Sequence, residues 1–317
     1  MGADRVASLP MYDFPELREA HDEFWGAIAG RLRAAGLNTT PLTLTRDIRP
    51  AEIWGDPFLL FAQGCEYPLA KSFADRVRVV AHPVYSAAGC GGARYRSAIV
   101  MRRRTGALAG AQAQTGAEVW AGAGAQAGAG VQAGAGVQAD AGVQADAGVQ
   151  ADAGALAGLR GRRCVVNELD SNSGMNLLRA AIAPLSNGEP FFASVSISGS
   201  HLHSAEMVAS GQADVASIDC VSFAHFQQLY PTLVGKLRVL SWTASTPSLP
   251  YITAHSASES DVRALRAALA DVFFDEKLAP VRAKLLLRGV SVNPVEGFGE
   301  VLALERGAVD AGYPTLR

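Results

Sequence analysis

The chain has 317 residues, of which 49% are hydrophobic and 18% charged, and its formal net charge at neutral pH is -2. That length suits two lobes with substantial cores, and that composition excludes a disordered chain. The near-neutral balance gives no reason to expect a nucleic-acid partner, which requires concentrated positive charge. No apolar run reaches the roughly 18 residues of a membrane-spanning helix, so no direct membrane insertion is expected. Cys65, Cys90, Cys164 and Cys220 lack metal-ligand spacing and read as four separate thiols.

In chain order, a strand is predicted at Arg5–Leu9, after an N-terminus without a signal-peptide core. Two expectations follow: a cytoplasmic protein, or a periplasmic one whose leader has been removed. A helix over about Phe14–Ala35 comes next, with Trp25, Ile28 and Leu32 on one face. Strands are predicted at Leu42–Thr45, Leu59–Ala62, Arg76–Ala81 and Arg96–Met101. The segment from about 105 to 157 departs from its surroundings: a hexapeptide of the type Gly-Val-Gln-Ala-Asp-Ala recurs with Val131, Val137, Val143 and Val149 in register. Its Gly/Ala content buries too little apolar area to offset the entropy of ordering, so a surface insertion is expected. Further strands are predicted at Arg163–Val166, Phe191–Val195, Asp214–Ile218, Leu237–Ser241 and Tyr251–Thr253. Helices are predicted from Met175, at His203–Ala209, Ser222–Leu229, Glu259–Phe274 and Leu278–Leu287. This βα order predicts parallel-rich sheets with helices on both faces, and ligands in such folds collect where strands end and helices begin.

The polar junctions are therefore the candidate sites. Ser171, Asn172, Ser173 and Gly174 stand between a strand and a helix. There, two hydroxyls and free first-turn amides suit either an ordinary N-cap or a socket for a tetrahedral or carboxylate anion. Ser8, Met11 and Tyr12 occupy the first strand-to-helix junction, and Tyr12 suits a pocket rim or packing on the following helix. Gln63 and Tyr67 lie at the next junction, and Trp54 either lines a cleft or covers the core. His201 opens a helix after Ser198-Gly199-Ser200, Asp219 ends a strand where it meets a ligand or caps a helix, and Thr246 follows an apolar run. His201, His203 and Asp219 invite a metal site, but side chains two apart on a helix diverge, so no metal is expected. No Ser/His/Asp order, phosphate-binding loop or paired carboxylates are present. The inventory suits recognition better than catalysis, with no cofactor and no catalytic residue.

The series Asn167–Asn176, SGSHLHSAEMVASG (198–211), DVASID (214–219) and Thr246-Pro247 resembles the phosphonate/phosphate/phosphite ABC-transporter substrate-binding family. The resemblance implies an α/β, two-lobed type II periplasmic-binding-protein-like fold, with mixed sheets flanked by helices and the Gly/Ala repeat as an insertion. Lobe 1 would comprise residues 1–84 and 247–317, and lobe 2 residues 85–246. It further implies that Ser171 and Ser173 grip the anion, that His201 faces the ligand, and that Asp219 meets the polar end of the substrate. Tyr12 would be an aromatic contributed by the first lobe. The implied protein is a monomeric, non-enzymatic receptor for a small anionic or polar solute, delivering it to an ABC permease. Three alternatives stay open at this point. One is a binding protein or sensor for a pyrimidine-type or other small organic ligand stacked on Tyr12 and Trp54. The second is an enzyme using His201 and Asp219, and the third is a cytoplasmic sensor or structural protein with an inert cleft.

Overall fold

One run of apolar sequence dictates where the first sheet sits. Leu59–Gln63 (β2) is buried at every position, as a strand covered on both faces must be. A computed structural model describes residues 5–103, 153–292 and 297–317. In it β2 lies inside a five-stranded sheet between Val6–Ser8 (β1) and Tyr251–Ala254 (β11). Val77–Tyr85 (β3) and Leu287–Ser291 (β12) complete that sheet. Helices Arg18–Ala34 and Glu259–Phe274 supply its cover, with Phe24, Ile28 and Leu32 packed in one core with Leu265, Leu269 and Val272. Trp25 stacks on Phe61 of β2 with ring centroids 5.6 Å apart. Each fully buried side chain of this kind contributes roughly 1.5–3 kcal/mol.

The second lobe is a five-stranded sheet in the order Ser194–Ile197 (β7), Arg163–Val166 (β6), Val215–Asp219 (β8), Ser97–Arg102 (β5) and Leu237–Trp242 (β9). Among the described strands only β1–β2, β7–β6 and β6–β8 are parallel, so these sheets are mixed and not parallel-rich. The reason is the chain's path. It crosses from β3 to β5 and returns from β9 to β11, and each crossing brings a strand in antiparallel. Both crossings pass through a two-stranded ribbon, Arg94–Tyr95 (β4) against Thr246–Pro247 (β10).

Several local expectations are corrected. Leu42–Thr45 is not a strand: Leu42 is 70% exposed, and the segment reaches the first sheet through Thr45 N–H donating to the Ala7 carbonyl. The strand expected at Phe191–Val195 begins at Ser194, because Phe191 and Phe192 are spent filling the second-lobe core. The helix expected to run to Leu287 stops at Lys284, and Leu286 takes a left-handed φ of 56° that turns the chain into β12. The repeat tract lies outside the described residues except for Ala153–Ala157. Those five residues form a helical segment anchored by Leu156, which is buried alongside Leu159. Leucine supplies the apolar area that the Gly/Ala units lack.

Beyond β12, the helix Gly297–Asp310 packs on the second-lobe helix Leu177–Ser186. Tyr313 is buried in the second-lobe core, and the N–H groups of Phe191 and Phe192 donate to the Arg317 carbonyl at 2.7 and 3.1 Å. The first turn of the Gly297 helix presses on Glu66, whose carboxylate also meets His82 Nε2 at 3.1 Å. A Cβ on residue 297 would stand 1.8 Å from Glu66 Oε1, so only glycine permits this approach.

Candidate functional site

The parallel trio β7–β6–β8 directs three strand ends to one side, and each strand is followed by a helix. Those three helix starts converge on a cavity of about 410 Å³. Ser171 Oγ accepts from Gly174 N–H at 3.0 Å, and Ser200 Oγ accepts from His203 N–H at 3.1 Å. Asp219 Oδ1 accepts from Val221 and Ser222 N–H at 2.8 and 2.9 Å. All three capping residues line the cavity. In the turns that follow, Ser173, His201 and Leu202 carry N–H groups at positions where a helix offers no internal acceptor. The opposite wall comes from the first lobe: Pro10, Met11, Tyr12, Asp13 and Phe14 after β1, Cys65 after β2, and Leu249 before β11.

Within this cavity Ser173 Oγ and His201 Nε2 share a hydrogen bond of 2.8 Å, and Ser171 Oγ lies 3.4 Å from Ser173 Oγ. Burial pushes His201 down to about 4, so its imidazole is neutral at pH 7, and its buried Nδ1 has no protein partner. Tyr12 Oη donates to Asp219 Oδ2 at 3.1 Å, a bridge from one lobe to the other. Burial pushes Asp219 up to about 6, against the pull of the hydrogen bonds from Ser222, Tyr12 and Val221. The charged residues lining the cavity are Asp13, Glu168 and Asp219, with neither lysine nor arginine among the described lining residues. Any anion held here is therefore held by amides, hydroxyls and helix dipoles rather than by ion pairing.

Of the residues singled out in the sequence, Met11, Tyr12, Ser171, Ser173, His201 and Asp219 meet in this cavity. Asn172 and Gly174 lie just behind it. Asn172 Nδ2 donates to Tyr95 Oη and Thr246 Oγ1 at 3.0 and 3.1 Å, so Asn172 and Thr246 join the helix start to the connecting ribbon. Gly174 makes room for Asn167, whose Oδ1 lies 1.7 Å from where a Cβ on residue 174 would be. The others sit elsewhere. Ser8 Oγ donates to the Thr45 carbonyl at 2.8 Å, beside a separate cavity of about 250 Å³ that includes Arg18 and Arg46. Trp54 is a core residue, its Nε1–H donating to the Gln63 carbonyl at 3.2 Å and its ring edge-on to Phe73. Gln63 Nε2 donates to Tyr85 Oη and the Leu249 carbonyl, and Tyr67 Oη donates to Glu305 at 2.8 Å within the second-lobe core. The aromatic rings that do line the cavity are those of Tyr12 and Phe14.

Asn167, Cys65, Ser200 and Ser222 also line the cavity; the sequence places each at a polar junction without marking it as a ligand contact. Ser200 is findable from the N-cap pattern alone, since a serine stands three residues before a satisfied amide. Replacing Ser200 with alanine is expected to cost about 1 kcal/mol of stability, read from urea unfolding at neutral pH, by removing the acceptor for His203 N–H. An unchanged unfolding midpoint would show that this cap contributes nothing.

Residues 59–291 match the family model described as ABC transporter, phosphonate, periplasmic substrate-binding protein. Among solved structures, the chain is similar to a binding protein component of an ABC phosphonate transporter from Pseudomonas aeruginosa. That likeness has 14% identity and a TM-score of 0.66, and covers 97% of this chain and 88% of that one. It is likewise similar to PhnD1 from Prochlorococcus marinus in complex with methylphosphonate, with 10% identity, a TM-score of 0.65 and coverage of 95% and 96%. A Xanthomonas citri protein bound to chloride ion matches at 14% identity and a TM-score of 0.61, covering 98% and 99%. At these identities the structures establish the fold. No curated protein sequence matches the chain.

Proposed function

This chain belongs to the periplasmic substrate-binding family of phosphonate ABC transporters, and on that premise we propose that its interlobe cavity captures a small oxyanion or phosphonate-like solute. The role of solute-binding component, with a permease as its partner, comes with the family. The observation that carries the ligand reading is the convergence of three capped helix starts on one cavity, with the Ser173–His201 pair at its wall. Helix starts present fixed positive ends and spare amides, which suit a compact anion in a site without cationic side chains. In this reading Ser171, Ser173, the first-turn amides and His201 hold the anionic end. Tyr12 and Asp219 face the other end, where Asp219 accepts from a hydrogen-bond donor on the solute and repels a second negative charge. Met11 and Leu249 line the apolar part of the wall. Capture is completed by closure of the lobes, the cavity being largely preformed within each.

The reading is non-enzymatic. Neutral His201 is a poor base at about 4, and Asp219 already accepts from Tyr12 and two amides. Periplasmic placement follows the family description and is part of the same proposal.

A thermal-shift screen of inorganic phosphate, phosphite, methylphosphonate, a small sulfonate and a pyrimidine tests it, since a ligand that binds the folded state alone raises the transition by mass action. The expected result is a rise with a phosphorus oxyanion and none with the pyrimidine. Ser173→Ala and His201→Gln should each weaken the responding ligand about tenfold, the worth of one hydrogen bond to a charged group, while the apo transition holds. A rise with the pyrimidine alone, or full-strength oxyanion binding in both variants, would overturn the assignment.

A further inference from the structure

Two of the four cysteines, though 130 residues apart in sequence, face each other: Cys90 Sγ and Cys220 Sγ are 3.4 Å apart. Both are free thiols. Cys90 lies on the segment that carries the chain from β3 toward the β4–β10 ribbon, and Cys220 opens the helix capped by Asp219. The loop holding Cys90 is pressed onto its partner. A Cβ on Gly89, which has φ +97°, would stand 3.0 Å from Cys220 Cβ and 2.8 Å from the Trp242 ring. Closing the gap to a disulfide needs a movement of only about 1.4 Å. Access is unequal, for Cys90 is half-buried and Cys220 is 1% exposed. Cys65 and Cys164 form no such pair, and Cys164 is sealed in the second-lobe core.

We propose that Cys90 and Cys220 form a reversible disulfide that ties the interlobe connection to the ligand-facing helix start and limits opening of the lobes. The oxidant is a small disulfide such as oxidised glutathione. Cys90 thiolate attacks one of its sulfurs, giving a mixed disulfide and releasing one glutathione thiolate. Cys220, losing its proton to solvent, then attacks Cys90 Sγ and releases the second glutathione. Two thiols are oxidised to one disulfide and one glutathione disulfide is reduced to two thiols. The hydrogen bond to Cys90, burial and the neighbouring Asp219 all hold the Cys220 thiol in its protonated form, so the second step quickens as pH rises. An oxidising compartment, which the family description implies, is where such a bond persists.

The tether argument is one of length. Ser86 is fastened to the first lobe through its N–H to the Leu286 carbonyl, at 2.8 Å, and the chain next enters the second sheet at Ser97. Free, that connection spans up to about 37 Å; fastened at Cys90 instead, it spans about 14 Å.

The test is to incubate reduced, full-length protein with oxidised glutathione near pH 8, block remaining thiols, and read intact mass and peptide linkage. The wild type should lose two hydrogens, with the Cys90 peptide linked to the Cys220 peptide. Its thermal transition should rise and fall back on adding dithiothreitol. Cys220→Ser should keep a glutathione adduct on Cys90, and Cys90→Ser should show neither adduct nor link. A link through Cys65 or Cys164, a lasting glutathione adduct on wild-type Cys90, four unmodified thiols at equilibrium, or an unshifted transition in linked protein would each overturn the proposal. The linkage is read without any transported solute, so its failure and that of the ligand assignment are separable.

Discussion

Replacing Gly174 with alanine is expected to remove about 2 kcal/mol of stability and to weaken oxyanion binding at least a hundredfold. One methyl group should do this because the space it needs is taken. Its carbon would stand 1.7 Å from Asn167 Oδ1 and 2.9 Å from Asn167 Cγ, with His201 Cε1 at 3.3 Å. Asn167 must swing away, and as a cavity-lining residue it has the ligand space to move into. His201 is pushed from the other side, which strains its 2.8 Å bond to Ser173. Overpacking of this kind typically costs about 1–3 kcal/mol. Urea unfolding and calorimetric titration with methylphosphonate and inorganic phosphate would read the two effects. Removing the obstructing side chain should repair them, so the double variant Gly174→Ala/Asn167→Gly is expected to recover most of the stability. A Gly174→Ala protein with wild-type stability and affinity would show that the crowding at this helix start is inconsequential.

Acidification from pH 7 to 4.5 is expected to lower folding stability by about 2 to 3 kcal/mol, a net loss caused by histidines. Burial pushes both His201 and His225 down to about 4 from an ordinary value near 6.5. Below pH 6.5 the unfolded chain takes up protons at these positions while the folded chain does not. The stability they confer is thus complete above 6.5 and is lost as pH falls toward 4, at roughly 2 kcal/mol per ring by pH 4.5. His21, also lowered by burial, acts in the same direction. Asp219 acts in the opposite one. Its folded value of about 6 lies above the unfolded 3.8, so the folded state gains protons first and recovers roughly 2 kcal/mol over the same interval. His225 is the informative target, because both of its buried ring nitrogens lack a protein partner. Substituting His225→Leu should flatten the acid loss. Asp219→Asn, which keeps the helix cap but cannot titrate, should steepen it. Urea midpoints for the three proteins at pH 7 and 4.5 check the prediction, and a parallel loss in all three would refute it.

The candidate site was legible where local chemistry and chain order agree. Serines and an aspartate between an apolar run and a helical run mark helix starts at Ser171 and Asp219, and both do cap helices. That these starts face a gap follows from the parallel β7–β6–β8 arrangement, which the alternation of strands and helices foretells. Reading fails where partners are far apart in sequence. Nothing around Trp54 says that its indole N–H belongs to the Gln63 carbonyl, and nothing around Ser8 says that its hydroxyl belongs to Thr45. Strand β12 and the helix from Gly297 were missed for a related reason. Leu287–Ser291 is half-exposed edge sequence without alternation, and the helix finds its place through Glu66 and the second-lobe core. Asn167 opens the motif Asn167–Asn176, yet the sequence does not mark it as a contact, because its importance lies in the glycine opposite, a relation that no spacing rule records.

Among the described residues, the chain passes between the lobes outward through β4 and back through β10. Arg94 of the first crossing donates to the Ser245 carbonyl beside the second and pairs with Glu300 of the helix Gly297–Asp310, bracing the ribbon on both sides. A jaw hung on a paired and braced ribbon has less freedom to twist or slide than one hung on two separate strands. Opening about that ribbon would part Tyr12 from Asp219, while the three capped helix starts, which follow strands of one sheet, would stay in register with one another.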